Sequence, residues 1–406
     1  MIAPERRSRR DLVAAATIVV VAAVLVGVVW SRSDARATTS IPASSPLPAL
    51  VPAAKLPTTV HQLWTAPSGA TRAPVVVGGA VVTGDGHGVQ GRDAATGTVR
   101  WIYSRDLNLC AVDGQWSLAV SVFDDGEGCS QVTALQGDTG ARGPQRSSAA
   151  DDAVTLTGDG TYLVSTGRTR LDVWRSDLVR TVQLGRVRTP VSPGVQPRAG
   201  CVLHAALSVP SRLSVLATCP KEKVDRLILL DPAPSDAAKP QEQGSVLLPS
   251  KGARLLAVGS AAEAVLVPEA PGGPEVVVYD GTGRLVTRYL VPVPEKQVAA
   301  LAATALPEPV SAGPVLTVAV GRTLLALDPT TLALRWSAQD VLGSGVLLAG
   351  SFVVPTPQGL TPLDATTGRA SSTVAVDRGG YAGPVQLGVA GSVVLEQRGR
   401  TLVALG

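Results

Sequence analysis

Aromatic residues, cysteine and histidine are all scarce in this chain of 406 residues. Aromatic residues make up 3% of it, too few for the stacking platforms that bind single-stranded nucleic acid. Three histidines occur, and no H-E-x-x-H, G-x-S-x-G or G-x-x-x-x-G-K-[ST] pattern, which excludes the common zinc-protease, hydrolase and P-loop sites. The sequence therefore predicts neither an enzyme nor a nucleic-acid-binding protein, and it predicts no cofactor and no metal.

The positive charge of the chain is concentrated at its N-terminus. Residues 1–10 hold four arginines and one glutamate, which together give +3 of the net charge of +4. The remaining residues are close to neutral, so we expect no basic surface of the kind that binds nucleic acid.

A long apolar run follows this basic tail, which we delimit as residues 1–11. Residues Leu12–Trp30 carry no charge, and as a helix they span roughly 28 Å, close to the thickness of a bilayer core. The arginines precede the run, so the positive-inside rule places the N-terminus in the cytoplasm. We predict a single-pass signal-anchor in the cell membrane, with the C-terminal domain on the extracytoplasmic side.

Two short patterns compete with a retained anchor. Ser8–Val13 resembles a twin-arginine export signal, and Ala35–Ala37 fits an A-x-A cleavage site. The apolar run is longer than the core of most signal peptides, which favours retention. Both alternatives leave the folded domain outside the cytoplasm.

Residues 31–59 are rich in proline, alanine, serine and threonine. This composition buries little apolar surface and favours extended conformations. It predicts a stalk that holds the folded domain away from the bilayer.

Residues 60–406 have an all-β pattern, in which short runs of valine and leucine alternate with turns. A corner motif recurs, with an aspartate, a glycine three or four residues later and, in the best copies, a tryptophan eight residues after the aspartate. Aspartate accepts hydrogen bonds from nearby backbone amides, and glycine tolerates a positive φ. The corner residues are Asp93, Gly97 and Trp101, Asp280 and Gly283, Asp328 and Trp336, and Asp364 and Gly368.

Weaker copies of the corner lie near residues 136, 175 and 231, so that successive corners are 36 to 56 residues apart. This spacing matches a four-stranded propeller blade. The chain ends where an eighth corner is expected, and Gln62–Thr65, which contains Trp64, matches the missing outer strand. We therefore predict a β-propeller of eight four-stranded blades, closed by the strand at Trp64. Seven blades with an insertion at Ser235–Gln243 are the alternative.

The segment P-V-V-V-G-G-A-V-V-T-G at Pro74–Gly84, followed by D-A-A-T-G-T-V-R-W at Asp93–Trp101, resembles the pyrroloquinoline-quinone-type propeller repeat. The chain resembles the non-catalytic envelope members, such as the lipoprotein subunit of the outer-membrane protein assembly machine. Quinoprotein dehydrogenases of this family carry adjacent cysteines, a carboxylate base and calcium ligands. No Cys-Cys pair occurs here, so the resemblance implies the fold and an envelope role without the quinone.

The four cysteines form two local pairs. Cys201 and Cys219 flank a predicted hairpin centred on Pro210, which favours a cross-strand disulfide. Cys110 and Cys129 surround a predicted turn at Asp113-Gly114 and an acidic loop, and we expect them to form a second disulfide. Disulfides persist in an exported domain, and four free thiols are the alternative.

A few polar residues are of types that could bind a ligand or a metal ion, but a structural role in a turn or in the core explains them better. His87 stands between glycines and is typical of a tight turn, and His204 lies between apolar neighbours, as a core or channel histidine does. Asp124, Asp125 and Glu127 lack the spacing of a calcium loop. We interpret these three as a solvated turn.

The sequence thus favours a membrane-anchored, non-catalytic protein-interaction scaffold that binds an envelope or membrane protein. The long segments Thr189–Ala199, Pro232–Gln243 and Pro292–Pro314 are candidates for its partner surface by length. A sensor that binds a small molecule or glycan in the channel and a divergent quinoprotein dehydrogenase are the alternatives. An open polar channel would favour a ligand.

Overall fold

A computed structural model describes residues 8–31, 33, 36–187, 194, 196–300 and 306–406, without the side chains of 298–300. The N-terminal helix, α1 (Arg9–Ser31), contains the predicted apolar run and has no buried residue. Its first turn is capped reciprocally, because the Asp11 carboxylate accepts the Ser8 N–H at 2.8 Å and the Ser8 hydroxyl accepts the Asp11 N–H at 3.3 Å. Within the described residues, α1 is the one helix long and apolar enough to cross a membrane.

The remainder forms eight antiparallel sheets, which confirms the predicted eight-bladed propeller. The strands of each blade are given from the inner to the outer one. Blade 1 consists of β3 (Val75–Val77), β4 (Ala80–Asp85), β5 (Gly88–Arg92) and β6 (Val99–Ser104), and blade 2 of β7 (Asn108–Gln115), β8 (Leu118–Asp124), β9 (Gln131–Gln136) and β10 (Arg142–Ser147). Blade 3 consists of β11 (Thr155–Gly158), β12 (Leu163–Thr166), β13 (Arg170–Trp174) and β14 (Arg180–Gly185), and blade 4 of β15 (Val202–Val209), β16 (Arg212–Thr218), β17 (Arg226–Leu230) and β18 (Glu242–Leu247).

Blades 5 to 8 complete the ring, and a short helix, α2 (Glu295–Ala300), lies between blades 5 and 6. Blade 5 consists of β19 (Arg254–Val258), β20 (Ala262–Val267), β21 (Glu275–Asp280) and β22 (Leu285–Leu290), and blade 6 of β23 (Val310–Ala312), β24 (Val315–Val320), β25 (Thr323–Leu327) and β26 (Leu334–Gln339). Blade 7 consists of β27 (Val346–Leu348), β28 (Ser351–Thr356), β29 (Gly359–Leu363) and β30 (Val374–Ala375), and blade 8 of β31 (Val385–Ala390), β32 (Val393–Arg398), β33 (Thr401–Leu405) and β2 (Gln62–Pro67).

Blade 8 joins the two ends of the propeller. Its outer strand, β2, pairs antiparallel with β33, so that Trp64 lies opposite Ala404. This pairing closes the ring and leaves no open edge between the first blade and the last.

The middle strands explain why the sequence shows continuous apolar runs instead of alternation. Both faces of a middle strand are covered by the neighbouring blades, so every residue of β20 and of β25 is buried. Such runs are typical of strands that are buried on both faces.

The predicted stalk at residues 31–59 does not stand free of the domain. Residues 39–60 lie on the propeller. They begin with β1 (Thr39–Ile41), which adds a fifth strand to the outer edge of blade 1. Leu47 is buried and donates its backbone N–H to a carbonyl in blade 2 (3.0 Å), and Ala53 donates to one in blade 8 (3.2 Å). The composition predicts an extended segment. It does not predict where the segment lies, because its contacts are with residues that are far away in the sequence.

The corners join the third strand of a blade to the fourth, and their aspartates fix the turn locally. In the corners of Asp93, Asp280, Asp328 and Asp364, the carboxylate accepts hydrogen bonds from backbone N–H groups and from a threonine hydroxyl two or three residues later. These bonds stabilise the ionised form and lower the pKa of Asp93, Asp280, Asp328 and Asp364.

The tryptophans of the repeat connect neighbouring blades. Each lies in an outer strand and donates its indole N–H to a carbonyl in the corner of the next blade. The three bonds, each of 2.9 Å, join Trp64 to Ala94, Trp101 to Gly137 and Trp336 to Ala365. The glycines of these corners are required, because a Cβ at Gly97, Gly140 or Gly368 would lie within 2.6 Å of the indole.

Two further residues make the same connection without tryptophan, which the sequence motif did not reveal. The Tyr289 hydroxyl in blade 5 donates to the Leu332 carbonyl in the corner of blade 6 (2.8 Å). The Arg146 guanidinium in blade 2 donates to the Leu178 carbonyl in the corner of blade 3 (3.0 Å). All five donors lie in an outer strand and reach the corner of the next blade, but the acceptor differs. The tryptophans bond to the second residue of the corner, whereas Tyr289 and Arg146 bond to the residue with positive φ at its end.

Both predicted disulfides are present, Cys110–Cys129 and Cys201–Cys219. The second joins the two ends of the hairpin formed by β15 and β16, as the sequence predicts. The turn predicted at Asp113-Gly114 is wrong, because both residues lie within β7 and the chain turns at Trp116 and Ser117, which have positive φ. The turn composition of Asp113-Gly114 is the stronger local signal, because tryptophan is not a typical turn residue and serine favours turns more weakly than aspartate and glycine do.

Removing the disulfide of blade 4 by Cys201→Ser with Cys219→Ser should destabilise the propeller. A closed loop of this length contributes about 3 kcal/mol in the chain-entropy model, so we expect the thermal unfolding midpoint to fall by several degrees. Differential scanning calorimetry measures it, with Ser208→Ala in the same hairpin as control. An unchanged midpoint would show that the disulfide does not constrain the unfolded chain.

Candidate functional site

The channel of the propeller contains a cavity of about 280 Å³ between blades 3, 4 and 5. Its walls come from the inner strands β11, β15 and β19 and from the β12–β13 turn. The lining is mixed: leucine, alanine and valine side chains lie beside arginine, threonine and histidine. A concave site with a few polar groups on apolar walls is typical of small-molecule sites.

The segment after α2 forms one wall of this cavity. Leu306, Pro307 and Glu308 lie in the channel, and Arg72, from the connection between blades 8 and 1, donates to the Leu306 carbonyl at 2.7 Å. The length of the segment 292–314 alone predicts a partner surface on a rim. That interpretation is wrong for 306–308, which line the channel.

Two carboxyl groups, Glu308 and Asp113, lie in the electrostatic field of the Arg72 guanidinium. Arg72 lies 3.7 Å from the Glu308 carboxylate. Burial and the nearby Asp113 raise the pKa of Glu308, and burial likewise raises the pKa of Asp113. One Asp113 oxygen has no hydrogen-bond partner. The channel therefore holds a carboxyl pair that binds protons more readily than a surface pair does.

His204 projects towards the cavity from a β-bulge. The register of β15 against β16 shifts between Leu203 and Ala205, which leaves His204 unpaired in the ladder. Its Nε2 lies 2.7 Å from the Thr218 hydroxyl, which donates to the buried Asp225 carboxylate (2.7 Å). The sequence predicts a core or channel histidine, and the structure places His204 in the lining of the channel cavity.

Two arginines adjoin His204 without an acidic partner. Partial burial lowers the pKa of His204, and the positive charges of Arg254 and Arg168 lower it further, against the opposing effect of Asp225. Burial also lowers the pKa of Arg254. In the described part of the chain, no carboxylate forms an ion pair with Arg168 or Arg254.

The other candidate ligand residues lie in turns. His87 occupies the turn between β4 and β5, and its Nδ1 lies 2.9 Å from the Leu107 carbonyl. Asp124 and Asp125 accept backbone N–H groups of their own loop, at 2.8 Å from Gly126 and 3.1 Å from Glu127. No group of three or more histidine, cysteine, aspartate or glutamate side chains suited to a metal occurs among the described residues.

Of the polar residues that line the cavity, the sequence indicated His204 but not Arg72, Arg168 or Arg254, and the predicted corners lie elsewhere. The corners lie in the outer half of the blades, where they connect one blade to the next. Of the two other long segments, Pro232–Gln243 reaches blade 3, where Ala237 accepts the Gln183 N–H at 2.8 Å, and most of Thr189–Ala199 lies outside the described residues. No sequence pattern marks His204 as a residue in a β-bulge. None marks Arg254, at the start of the inner strand of the next blade, as its neighbour.

The chain is similar to known propellers in structure only. Saccharomyces cerevisiae Sqt1 superposes with a TM-score of 0.51 at 11% identity, over 85% of this chain and 97% of that one. The dihydro-heme d1 dehydrogenase NirN, in complex with DHE, superposes with a TM-score of 0.51 at 12% identity, over 84% and 78%. No protein-family model matches the chain, and no curated protein does. These likenesses show the propeller fold, and the resemblance to quinone-type repeats stays a prediction.

Proposed function

We propose that this protein is a membrane-anchored, extracytoplasmic propeller that binds a protein partner in the cell envelope without catalysis. The observation that carries the proposal is the outer strand of blade 5. In β22, Leu285, Val286 and Leu290 are exposed by 43%, 55% and 58%. Among the eight outer strands, no other exposes more than one large apolar side chain. Exposed apolar patches of this kind are typical of interaction sites.

The edge of β22 is also open to backbone pairing. β22 has one neighbour, β21, so its outer N–H and C=O groups face away from the sheet. Such an edge accepts an extended strand from another protein, with affinity from main-chain hydrogen bonds and specificity from alternate side chains. Blade 1 shows the same mode within the chain, because β1 pairs with β6.

The tether supports a position near the membrane. Residues 32–38 alone separate α1 from β1, and seven residues span at most about 25 Å. With α1 as the anchor, blade 1 stays close to the bilayer, which suits a partner that is itself in the membrane. The two disulfides suit an oxidising compartment.

Affinity purification from the native membrane tests the proposal. Val286→Glu with Leu290→Glu places two charges on the edge of β22, and we expect it to lose a partner that the unaltered protein enriches at least about tenfold. Gln145→Glu on the outer strand of blade 2 is the matched control and should keep it. Equal recovery of all partners from both variants would contradict the proposal.

The non-catalytic part is tested separately. Purified protein is heated with pyrroloquinoline quinone and with calcium, and we expect no change in its unfolding midpoint. A clear rise with either would contradict this part and favour a divergent quinoprotein.

A further inference from the structure

We infer that the channel cavity between blades 3, 4 and 5 binds a small organic anion through Arg168, Arg254 and His204. The ligand class is a carboxylate or phosphate head on a short apolar body. This inference goes beyond the proposed protein-binding function, because it concerns the channel and not the outer edge of blade 5.

The charge of the cavity supports an anion. Arg168 comes from the β12–β13 turn and Arg254 begins β19, and both line the cavity. Neither guanidinium forms an ion pair with a carboxylate among the described residues. Arg254 is partly withdrawn from water without such a partner, which is unfavourable, so an anion that pairs with Arg254 and with the exposed Arg168 would be stabilised.

The geometry of arginine selects the head group. Guanidinium groups bind carboxylate and phosphate oxygens with two parallel hydrogen bonds. A protonated His204 adds a third cation, and the Thr218–Asp225 chain behind it holds its ring. The hydroxyl of Thr166, in the same wall, has no hydrogen-bond partner.

The walls select the remainder of the ligand. Val154, Leu203, Leu207 and Leu255 line the cavity beside the arginines. A volume of about 280 Å³ lies just below the range of drug-sized pockets. The site therefore fits a compact acid with a short apolar body, whose carbon atoms contact the leucines while the head contacts the cations.

Titration calorimetry on the full chain in detergent tests the inference, with hexanoate, hexyl phosphate and inorganic phosphate as probes and neutral hexanamide as their control. We expect at least one anion to bind and hexanamide not to bind. Arg168→Gln with Arg254→Gln should weaken the affinity at least about tenfold. Arg142→Gln, an exposed arginine of β10, should leave it unchanged.

The probe that binds most tightly identifies the head group. The inference is overturned if no anion binds the unaltered protein, if hexanamide binds equally well, or if the double variant keeps its affinity. Should the double variant unfold, Arg168→Gln alone provides the same comparison, because this side chain is exposed. Partner recovery on the β22 edge is measured independently, so either idea can fail alone.

Acidification should strengthen anion binding. His204, whose pKa is lowered by burial, Arg254 and Arg168, gains a proton as the pH falls, and a bound anion favours that proton. Glu308, whose pKa is raised, loses a negative charge over the same change. For hexanoate, which stays mainly ionised over this range, we expect tighter binding at about pH 5.5 than at about pH 7.5, and a smaller difference in His204→Gln and in Glu308→Gln. Binding that weakens on acidification would contradict the role of His204.

Discussion

Replacing Trp101 with alanine is expected to destabilise the propeller by about 3–5 kcal/mol, the usual cost of removing a buried aromatic side chain. Trp101 has no exposed surface, and its indole N–H bonds to the Gly137 carbonyl of blade 2 at 2.9 Å. Alanine leaves a cavity between the two blades and an unpaired carbonyl. Chemical denaturation followed by far-ultraviolet circular dichroism measures the loss.

Trp336→Ala is the matched control for this variant. Trp336 makes the equivalent bond to Ala365 but is only half-buried, so its removal leaves a smaller cavity and should cost less. The conservative change Trp101→Phe keeps most of the volume and should cost less than alanine. If Trp101→Ala and Trp336→Ala destabilised the protein equally, burial would not explain the strength of these connections.

Replacing Glu396 with leucine should destabilise the protein by about 3–5 kcal/mol, because it leaves buried cations without their partner. Glu396 is fully buried and accepts hydrogen bonds from Arg378 (2.7 Å) and Arg398 (2.7 Å). Arg378 also donates to the carbonyls of Thr356 (2.6 Å) and Gly359 (3.3 Å), and so joins blades 7 and 8. Thermal and chemical unfolding report the change.

An exposed ion pair provides the comparison. Arg322 and Asp340 lie 3.3 Å apart with side chains exposed by 41% and 80%, and such pairs contribute little. Asp340→Asn should change the stability by less than about 1 kcal/mol, since asparagine also tolerates the positive φ at this position. Comparable losses in both variants would mean that desolvation does not govern the Glu396 network.

The sequence predicts the ring because its signals are local. Asp93 and Gly97 form their corner from neighbouring atoms, and the distance between corners is the length of one blade. The match of Trp64 to Trp101 predicts the closing strand. The donors Tyr289 and Arg146 could not be predicted, because only the structure shows that they reach a carbonyl in the corner of the next blade, as the tryptophans do.

The site depends on contacts that have no local signal. Arg168, His204 and Arg254 belong to three successive blades and come together only when those blades pack against one another. Leu47 becomes buried because blades 1 and 2 provide a surface for it, and its proline-rich surroundings show no periodicity. Composition describes such a segment as extended, and the tertiary fold decides where it lies.

Site-specific photocrosslinking in intact cells tests the central claim most directly. A photoreactive residue at Val286, on the open edge of β22, should crosslink to one envelope protein, and one at Gln145 on blade 2 should not. That result supports a propeller that binds a partner through blade 5. No crosslink from Val286, or the same products from both positions, would contradict it.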